Sequence, residues 1–199
     1  MIKAGVTGGI GSGKTIICRA FETLGVPVYN ADLAARLLTD SQPEIRERLM
    51  ELFGEDIYDG DTLNRPLFAS IVFRNKKMLE SANRIIHPWV KLDFSRWALD
   101  HQDCDYVIEE AAILFESGSN ALVDKCITVI SPIGLRIRRL MNRPGMTLER
   151  IEDVMANQWS DEKKTAASDF VIKNDEMNLV LPQILLIHKS LKAIRKTHS

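Results

Sequence analysis

Gly8-Gly9-Ile10-Gly11-Ser12-Gly13-Lys14-Thr15 fits the phosphate-loop pattern G-x-x-x-x-G-K-[ST] at every position. Before it, Ile2-Lys3-Ala4-Gly5-Val6-Thr7 is a short apolar run suited to a buried strand. After it, Ile16, Ile17, Ala20, Phe21 and Leu24 recur at helical spacing, and Gly25 can end that helix. Strand, glycine loop and helix form the context that turns the pattern into a site. Glycines leave no side chains between backbone and ligand. Several N–H groups can then converge on phosphate oxygens, and the helix N-terminus adds favourable partial charge. Gly9, Gly11, Ser12, Gly13 and Ile16 are accordingly candidate nucleotide-binding positions. Lys14 can reach the β- and γ-phosphates, and the Thr15 hydroxyl is the candidate magnesium ligand.

Working outward, four further segments read as buried strands: Val26 to Tyr29, Tyr106 to Glu109, Cys126 to Ile130 and Phe170 to Ile172. Helical patterns separate them. The expected fold is therefore α/β, a three-layer arrangement with a five-stranded parallel sheet covered on both faces. One domain of 199 residues suits that fold. Residues 32–100 are too long a stretch for a simple crossover and read as an inserted helical subdomain. Within it, Ser41-x-x-Glu44 suggests a capping box with Pro43 in the first turn and Gly54 at the end. A helix is expected from Pro66 to Phe73, and a longer one through Ile85, Ile86, Trp89, Val90 and Phe94. Pro88 is expected to push His87 away from helical geometry.

Residues 132–160 read as a lid. Ser131-Pro132 supplies a cap and a first-turn proline, Pro144-Gly145 a break, and Thr147 the next cap. Arg136, Arg139 and Arg143 fall at i, i+3 and i+7 on one face, with Ile133, Ile137, Leu140 and Met141 on another. Such a stripe is either a cationic lid face or a solvated helix surface.

The formal net charge is −1, so no global field favours nucleic acid or an anionic membrane. Cys18, Cys104 and Cys126 are odd in number and lack C-x-x-C spacing, which argues against a disulfide framework or zinc site and fits a reducing cytoplasm. The N-terminus reads as a strand rather than a cleavable signal, and no apolar run is long enough to span a bilayer. The expected protein is cytoplasmic, without nucleic-acid or membrane partners, and a monomer or weak homo-oligomer.

A phosphate loop alone names a nucleotide, not a reaction. A GTPase-like switch needs D-x-x-G, which occurs nowhere, and N-K-x-D, whereas Asn75-Lys76-Lys77-Met78 lacks the aspartate. A small-molecule kinase needs an acceptor pocket, a carboxylate near the acceptor hydroxyl and cations around the transferring group. Asp32, just past the second strand, falls on the sheet edge where such folds bind ligands. It is either the group that polarises the acceptor hydroxyl or a helix N-cap. Glu109 and Glu110 end the third strand, where one can order a magnesium-bound water or simply face solvent. Trp89 and Trp97 are better placed for a core than for stacking on adenine.

These segments resemble the dephospho-coenzyme A kinase family. Val6 to Thr15 is similar to its V/L-T-G-G-I-G-S-G-K-[ST] opening, and Asn30-Ala31-Asp32 to its D-A-D with the first aspartate replaced. Thr62-Leu63-Asn64-Arg65 with Ile71-Val72-Phe73, Ile86-His87-Pro88 and Ile113-Leu114-Phe115-Glu116 resemble further blocks. So do Arg139-Leu140-Met141-x-Arg143 with Gln158, and the segment from Ser168 to Asp175. Glu110-Ala111-Ala112 stands where the family has D-V-P, and Pro144 where an aspartate is common. The resemblance implies transfer of the γ-phosphoryl of ATP, with Mg2+, to the ribose 3′-hydroxyl of dephospho-coenzyme A. That is the last step of coenzyme A synthesis; another nucleoside or nucleotide kinase, or a switch ATPase, is the alternative. It implies catalytic roles for Asp32, Lys14, Arg139 and Arg143; Asn174-Asp175, after the last strand, is placed either to meet the adenine base by its backbone or to form a simple turn. Acceptor contacts fall to Asp32, Arg65, His87, Leu114, Phe115 and Glu116, although packing accounts equally well for Leu114 and Phe115, a structural role is open to His87, and Arg65 can pair either with an acceptor phosphate or with a neighbouring acid.

Overall fold

The computed structural model describes residues 1–72 and 75–197. Two compact units are present. One comprises Met1–Asn30 and the chain from Arg96 onward; the other comprises Ala31–Ser95.

The first unit is built on a five-stranded, wholly parallel sheet in the order β2-β5-β1-β6-β7. Its strands are β1 (Ile2–Thr7), β2 (Val28–Asn30), β5 (Tyr106–Glu110), β6 (Lys125–Ile130) and β7 (Phe170–Lys173). All five expected strands are present. β2 starts two residues later than expected because Pro27 has no N–H to donate, although its carbonyl still accepts from the Ile108 N–H at 2.9 Å.

Alternation along the strands divides the side chains between two faces. Ala4, Val6, Tyr106, Ile108, Ile127, Val129 and Ile172 pack in one core with Ile17 and Phe21 of α1 (Lys14–Thr23) and with Ile184, Ile187 and Leu191 of α9 (Val180–Thr197). The opposite face carries Gly5, Thr7, Glu109 and Thr128. There Leu114 lies against Gly5, and the Lys164 ammonium lies 3.4 Å from Thr7 Oγ1. Lys164 belongs to α8 (Asp161–Ala166), which Ser160 caps by accepting from the Lys163 N–H. Between β6 and α8 lie α6 (Ile133–Met141) and α7 (Leu148–Ala156), and Thr147 caps α7 as expected. The expected cap of α6 is corrected. Pro132 occupies the cap position without a side-chain bond, and Ser131 Oγ instead accepts from Arg139 Nη1 at 3.2 Å.

The second unit holds α2 (Ala31–Ser41), α3 (Pro43–Phe53), α4 (Arg65–Val72) and most of α5 (Lys76–Leu99). Ile45, Leu49, Ile57, Leu63, Val72, Ala82 and Ile85 form its core, with Trp89 packed against them. A small antiparallel pair, β3 (Tyr58–Asp59) with β4 (Thr62–Leu63), turns at Gly60 and was not foreseen. The capping box is also corrected. Ser41 ends α2, its hydroxyl donating to the Leu37 carbonyl, and Gln42 takes the cap position of α3. Pro43 and Gly54 fall at the start and end of α3 as expected. Helix α4 ends at Val72, and the Phe73 assigned to it lies outside the described residues. Helix α5 runs through Pro88, so His87 is helical, contrary to expectation. Burial of Ile85, Val90 and Phe94 on either side offsets the backbone bond that proline removes.

Phe21 is fully buried and meets Tyr106 edge-on, with ring centroids 6.4 Å apart. Phe21→Ala is expected to lower the unfolding free energy by about 3–5 kcal/mol, measured by urea denaturation. A loss well under 1 kcal/mol would show that this core repacks around the gap.

Candidate active site

Strand β1 ends at Thr7 and α1 begins at Lys14, so the glycine loop is the whole of the connection. Gly13 holds φ at 97°, a left-handed conformation that only glycine adopts readily, and its carbonyl accepts from the Ile16 and Ile17 N–H groups. Lys14 is nearly buried, and its ammonium donates to the carbonyls of Gly8 at 3.0 Å and Gly9 at 3.5 Å. The positive centre is thereby folded over the loop itself. Ser12 is fully buried, whereas Ile16 is largely exposed on α1.

Three side chains from later in the chain brace this loop. Arg136 of α6 donates through Nε to the Ile10 carbonyl at 2.8 Å, and through Nη1 to both oxygens of Asp161. Gln158 accepts the Ile10 N–H at 2.8 Å. Asn174, following β7, donates through Nδ2 to the Ser12 carbonyl at 2.7 Å. Asn174 was expected to use its backbone toward adenine. In this structure its N–H bonds to the Ile130 carbonyl, and its own carbonyl faces the Arg139 guanidinium at 3.4 Å.

At the start of α1 the Thr15 hydroxyl donates to Glu110 Oε1 at 2.7 Å, and Asn30 Nδ2 donates to Glu110 Oε2 at 3.0 Å. A hydroxyl beside a carboxylate is the kind of hard-oxygen pair that suits Mg2+, which needs only one or two protein ligands beside phosphates and water. Glu109 is fully buried on the opposite face, which leaves Glu110 as the carboxylate at the loop. A cleft of about 690 Å³ opens among Ser131, Arg136, Gln158, Trp159, Asp161 and Asp175, within the size range of small-molecule sites.

The dephospho-CoA kinase family model matches residues 2–179. The chain belongs to the dephospho-CoA kinase family. A dephospho-CoA kinase of Bacteroides fragilis is 40% identical over 185 residues, 92% of this chain and 90% of its own length. One of Porphyromonas gingivalis is 38% identical, covering 98% of this chain and 96% of its own length. Among solved structures, a Thermus thermophilus protein superposes with a TM-score of 0.80 at 28% identity, covering 96% of each chain. The dephospho-CoA kinase of Campylobacter jejuni gives 0.67 at 24% identity, covering 99% of this chain and 98% of its own, and shares the fold.

Family membership leaves each residue's place to the geometry. Of the three arginines, Arg136 is buried against the loop, and sequence spacing alone gave it no role there. Arg139 is half-buried between Ser131 and the Asn174 carbonyl, with Glu176 at 3.6 Å. Arg143 is corrected: α6 ends at Met141, so this residue lies in the exposed turn beyond the helix and off the stripe. The apolar face of α6 is corrected too. Ile133 and Met141 are 62% and 49% exposed, because Arg136 and Leu140 take the inner side against the loop glycines.

Leu114, Phe115 and Glu116, expected as acceptor contacts, make packing and ion-pair contacts within the first unit. Leu114 is fully buried behind β1, and Phe115 stacks on Trp159 at 5.5 Å and 7°. Glu116 pairs with the buried Lys164 at 2.9 Å and accepts the Trp159 N–H. Trp97 stacks with Tyr29 and His101, consistent with packing rather than a base platform.

In the second unit, Asp32 is the exposed second residue of α2, so it is not the N-cap of that helix. Arg65 is satisfied by an acid: its guanidinium meets Asp40 at 2.6 Å and the Arg36 carbonyl at 2.9 Å. These contacts hold the Asp40 carboxyl below its usual range, with the Arg65 and Leu63 hydrogen bonds outweighing desolvation by burial. Arg65 also borders a cleft of about 420 Å³ with Asp59, Thr62, Asn64 and Pro66.

His87 is half-buried on α5, and burial, aided by Lys91, lowers its pKa from 6.5 to about 4. A depressed folded pKa means that the unfolded chain takes up its proton first as pH falls. The stability conferred by neutral His87 is therefore complete above pH 6.5 and is lost toward pH 4. His87→Gln should flatten the decline of thermal midpoint across that window relative to the parent. Parallel pH profiles for the two proteins would remove His87 as the titrating group.

Proposed function

We propose that this protein transfers the γ-phosphoryl group of ATP to the ribose 3′-hydroxyl of dephospho-coenzyme A, giving coenzyme A. The supporting observation is a complete phosphate loop, with Lys14 folded over it and Thr15 beside Glu110, in a chain matched to this family over nearly its whole length. Phosphoryl transfer asks a protein mainly for positioning and for charge stabilisation. The loop N–H groups of Gly9, Gly11, Ser12 and Gly13 and the α1 N-terminus would hold the phosphates. Lys14 would neutralise charge that builds on the transferring group.

Thr15, with Glu110, would hold Mg2+, which when bound draws charge from the β- and γ-oxygens. Residues 132–160 act in this reading as a lid bringing Arg139, and Arg143 from its turn, toward the outer phosphates. Residues 32–100 form the acceptor-binding part. Asp32 there orients the ribose hydroxyl and accepts its proton late in transfer, with Arg65 and His87 in the acceptor pocket. A cytoplasmic enzyme without nucleic-acid or membrane partners fits the near-neutral charge.

Two substitutions test the reading. Lys14→Ala should lower turnover by roughly two or more orders of magnitude with the fold retained, in a coupled assay with ATP and dephospho-coenzyme A. Near-parental turnover in the folded variant would move the transfer site away from the loop. Asp32→Asn keeps side-chain size and helix position, so it should bind ATP normally and lose most activity through kcat. Parental kcat with lowered thermal stability would instead make Asp32 a structural helix residue.

A further inference from the structure

Ile10 is the second of the four residues between Gly8 and Gly13, and side chains from outside the loop hold both sides of its backbone. Its N–H donates to Gln158 Oε1 and its carbonyl accepts from Arg136 Nε, each at 2.8 Å. Arg136 lies on α6 and Gln158 just beyond the C-cap of α7. The two ends of the helix–turn–helix therefore meet on one residue of the phosphate loop. Arg136 is 6% exposed, and Asp161 fixes its other edge at 3.2 and 3.3 Å. The guanidinium also lies so close to Gly9 that an added Cβ would overlap Nη2 and Cζ. The phosphate-loop pattern accepts any residue at that position; here any side chain would have to displace the guanidinium.

A glycine-rich loop carries a large conformational entropy, and its N–H groups converge on phosphate at a lower cost in affinity when that freedom is already removed. We propose that Arg136 and Gln158 are positioning residues that clamp the Ile10 backbone. The clamp presets the loop for the nucleotide phosphates and ties its conformation to the α6–α7 segment. The proposal rests on the phosphoryl-transfer reading for its effect on rate, and on nucleotide binding alone for its effect on affinity.

The test compares ATP affinity by titration calorimetry and turnover with dephospho-coenzyme A. The proteins are the parent, Gln158→Ala, Gln158→Glu, Gly9→Ala, Arg136→Ala and the Gly9→Ala/Arg136→Ala double variant. Gln158→Ala and Gly9→Ala should each weaken ATP binding about tenfold and lower kcat by up to about a hundredfold, with thermal midpoints near the parent's. Gln158→Glu retains an acceptor oxygen and should recover most of the affinity. Gly9→Ala should cost much less in the Arg136→Ala background, because the methyl group enters space that the guanidinium has left.

Parental ATP affinity in Gln158→Ala, or an equal cost of Gly9→Ala in both backgrounds, would overturn the clamp. If Arg136→Ala does not fold, the Gln158 pair decides alone: loss in Gln158→Ala with recovery in Gln158→Glu supports the clamp, and equal behaviour of the two overturns it. A parent that binds ATP without phosphorylating dephospho-coenzyme A would remove the proposed function, while the affinity comparisons would still decide the clamp.

Discussion

The double pairing of β1 is the constraint on which the first unit depends. The strand bonds in register to β5 on one edge and to β6 on the other, so its direction and end point are fixed on both sides. Parallel pairing also places the carboxyl ends of neighbouring strands on one edge of the sheet, where open α/β folds bind ligands. Val6 stands opposite Glu110, and Thr7 opposite Thr128, at the point where the glycine loop departs. The loop thus begins beside the Glu110 carboxylate and below the segments that follow β6 and β7. The residues that brace it come from those segments because the ladder brings them there.

Behind the loop lies a fully buried cation, Lys164, paired with Glu116 and donating to the Ala112 carbonyl. Burial lowers the pKa of this lysine, and Glu116 raises it again only in part. Such a pair is weak evidence of net stability, since desolvation offsets much of the attraction. Its geometry instead specifies a connection. Glu116 also takes the Trp159 N–H, while Lys164 reaches Thr7, the last residue of β1. The segment bearing Gln158 and Asp161 is therefore anchored to the strand end from which the phosphate loop departs. The polar contacts above the loop and the ion pair behind it hold the same segment from two directions.

The sequence made the scaffold of the first unit legible because strand, glycine loop and helix each follow from local rules: a short apolar run, positive-φ glycine and 3.6-residue spacing. Glu110 was legible only as an acid at a strand end, since its contact with Thr15 depends on the pairing of β5 with β1. The orientation of α6 was not legible. Periodicity distinguishes its apolar face, Ile133, Ile137, Leu140 and Met141, from its arginine face; the structure buries Leu140 but turns Arg136 inward beside it and leaves Ile133 and Met141 exposed. A buried guanidinium is stable there because its partners, the Ile10 carbonyl and Asp161, lie far away in sequence. The contacts that Leu114, Phe115 and Glu116 make with Gly5, Trp159 and Lys164 were hidden for the same reason. A run beside a strand end reads alike whether it lines a pocket or supports one. The capping box at Ser41 failed on a local competition, because a hydroxyl can bond to the carbonyl four residues back as readily as to the next helix.

Two departures from the family pattern, at positions 30 and 110, meet in space. The family pattern puts an aspartate at each position, and two facing carboxylates would compete for the same donors and cations. In this chain Asn30 contributes an amide donor, Nδ2 to Glu110 Oε2, while Thr15 donates to the other oxygen of the same carboxylate. Both oxygens are thus held, one by an amide and one by a hydroxyl, so the carboxylate keeps its orientation. The longer glutamate side chain spans from β5 to α1 and β2 together, and the amide removes the like charge that its reach would otherwise meet. Read separately, each substitution weakens the match to the family. Read as a pair, they preserve one oriented carboxylate beside the threonine of the phosphate loop.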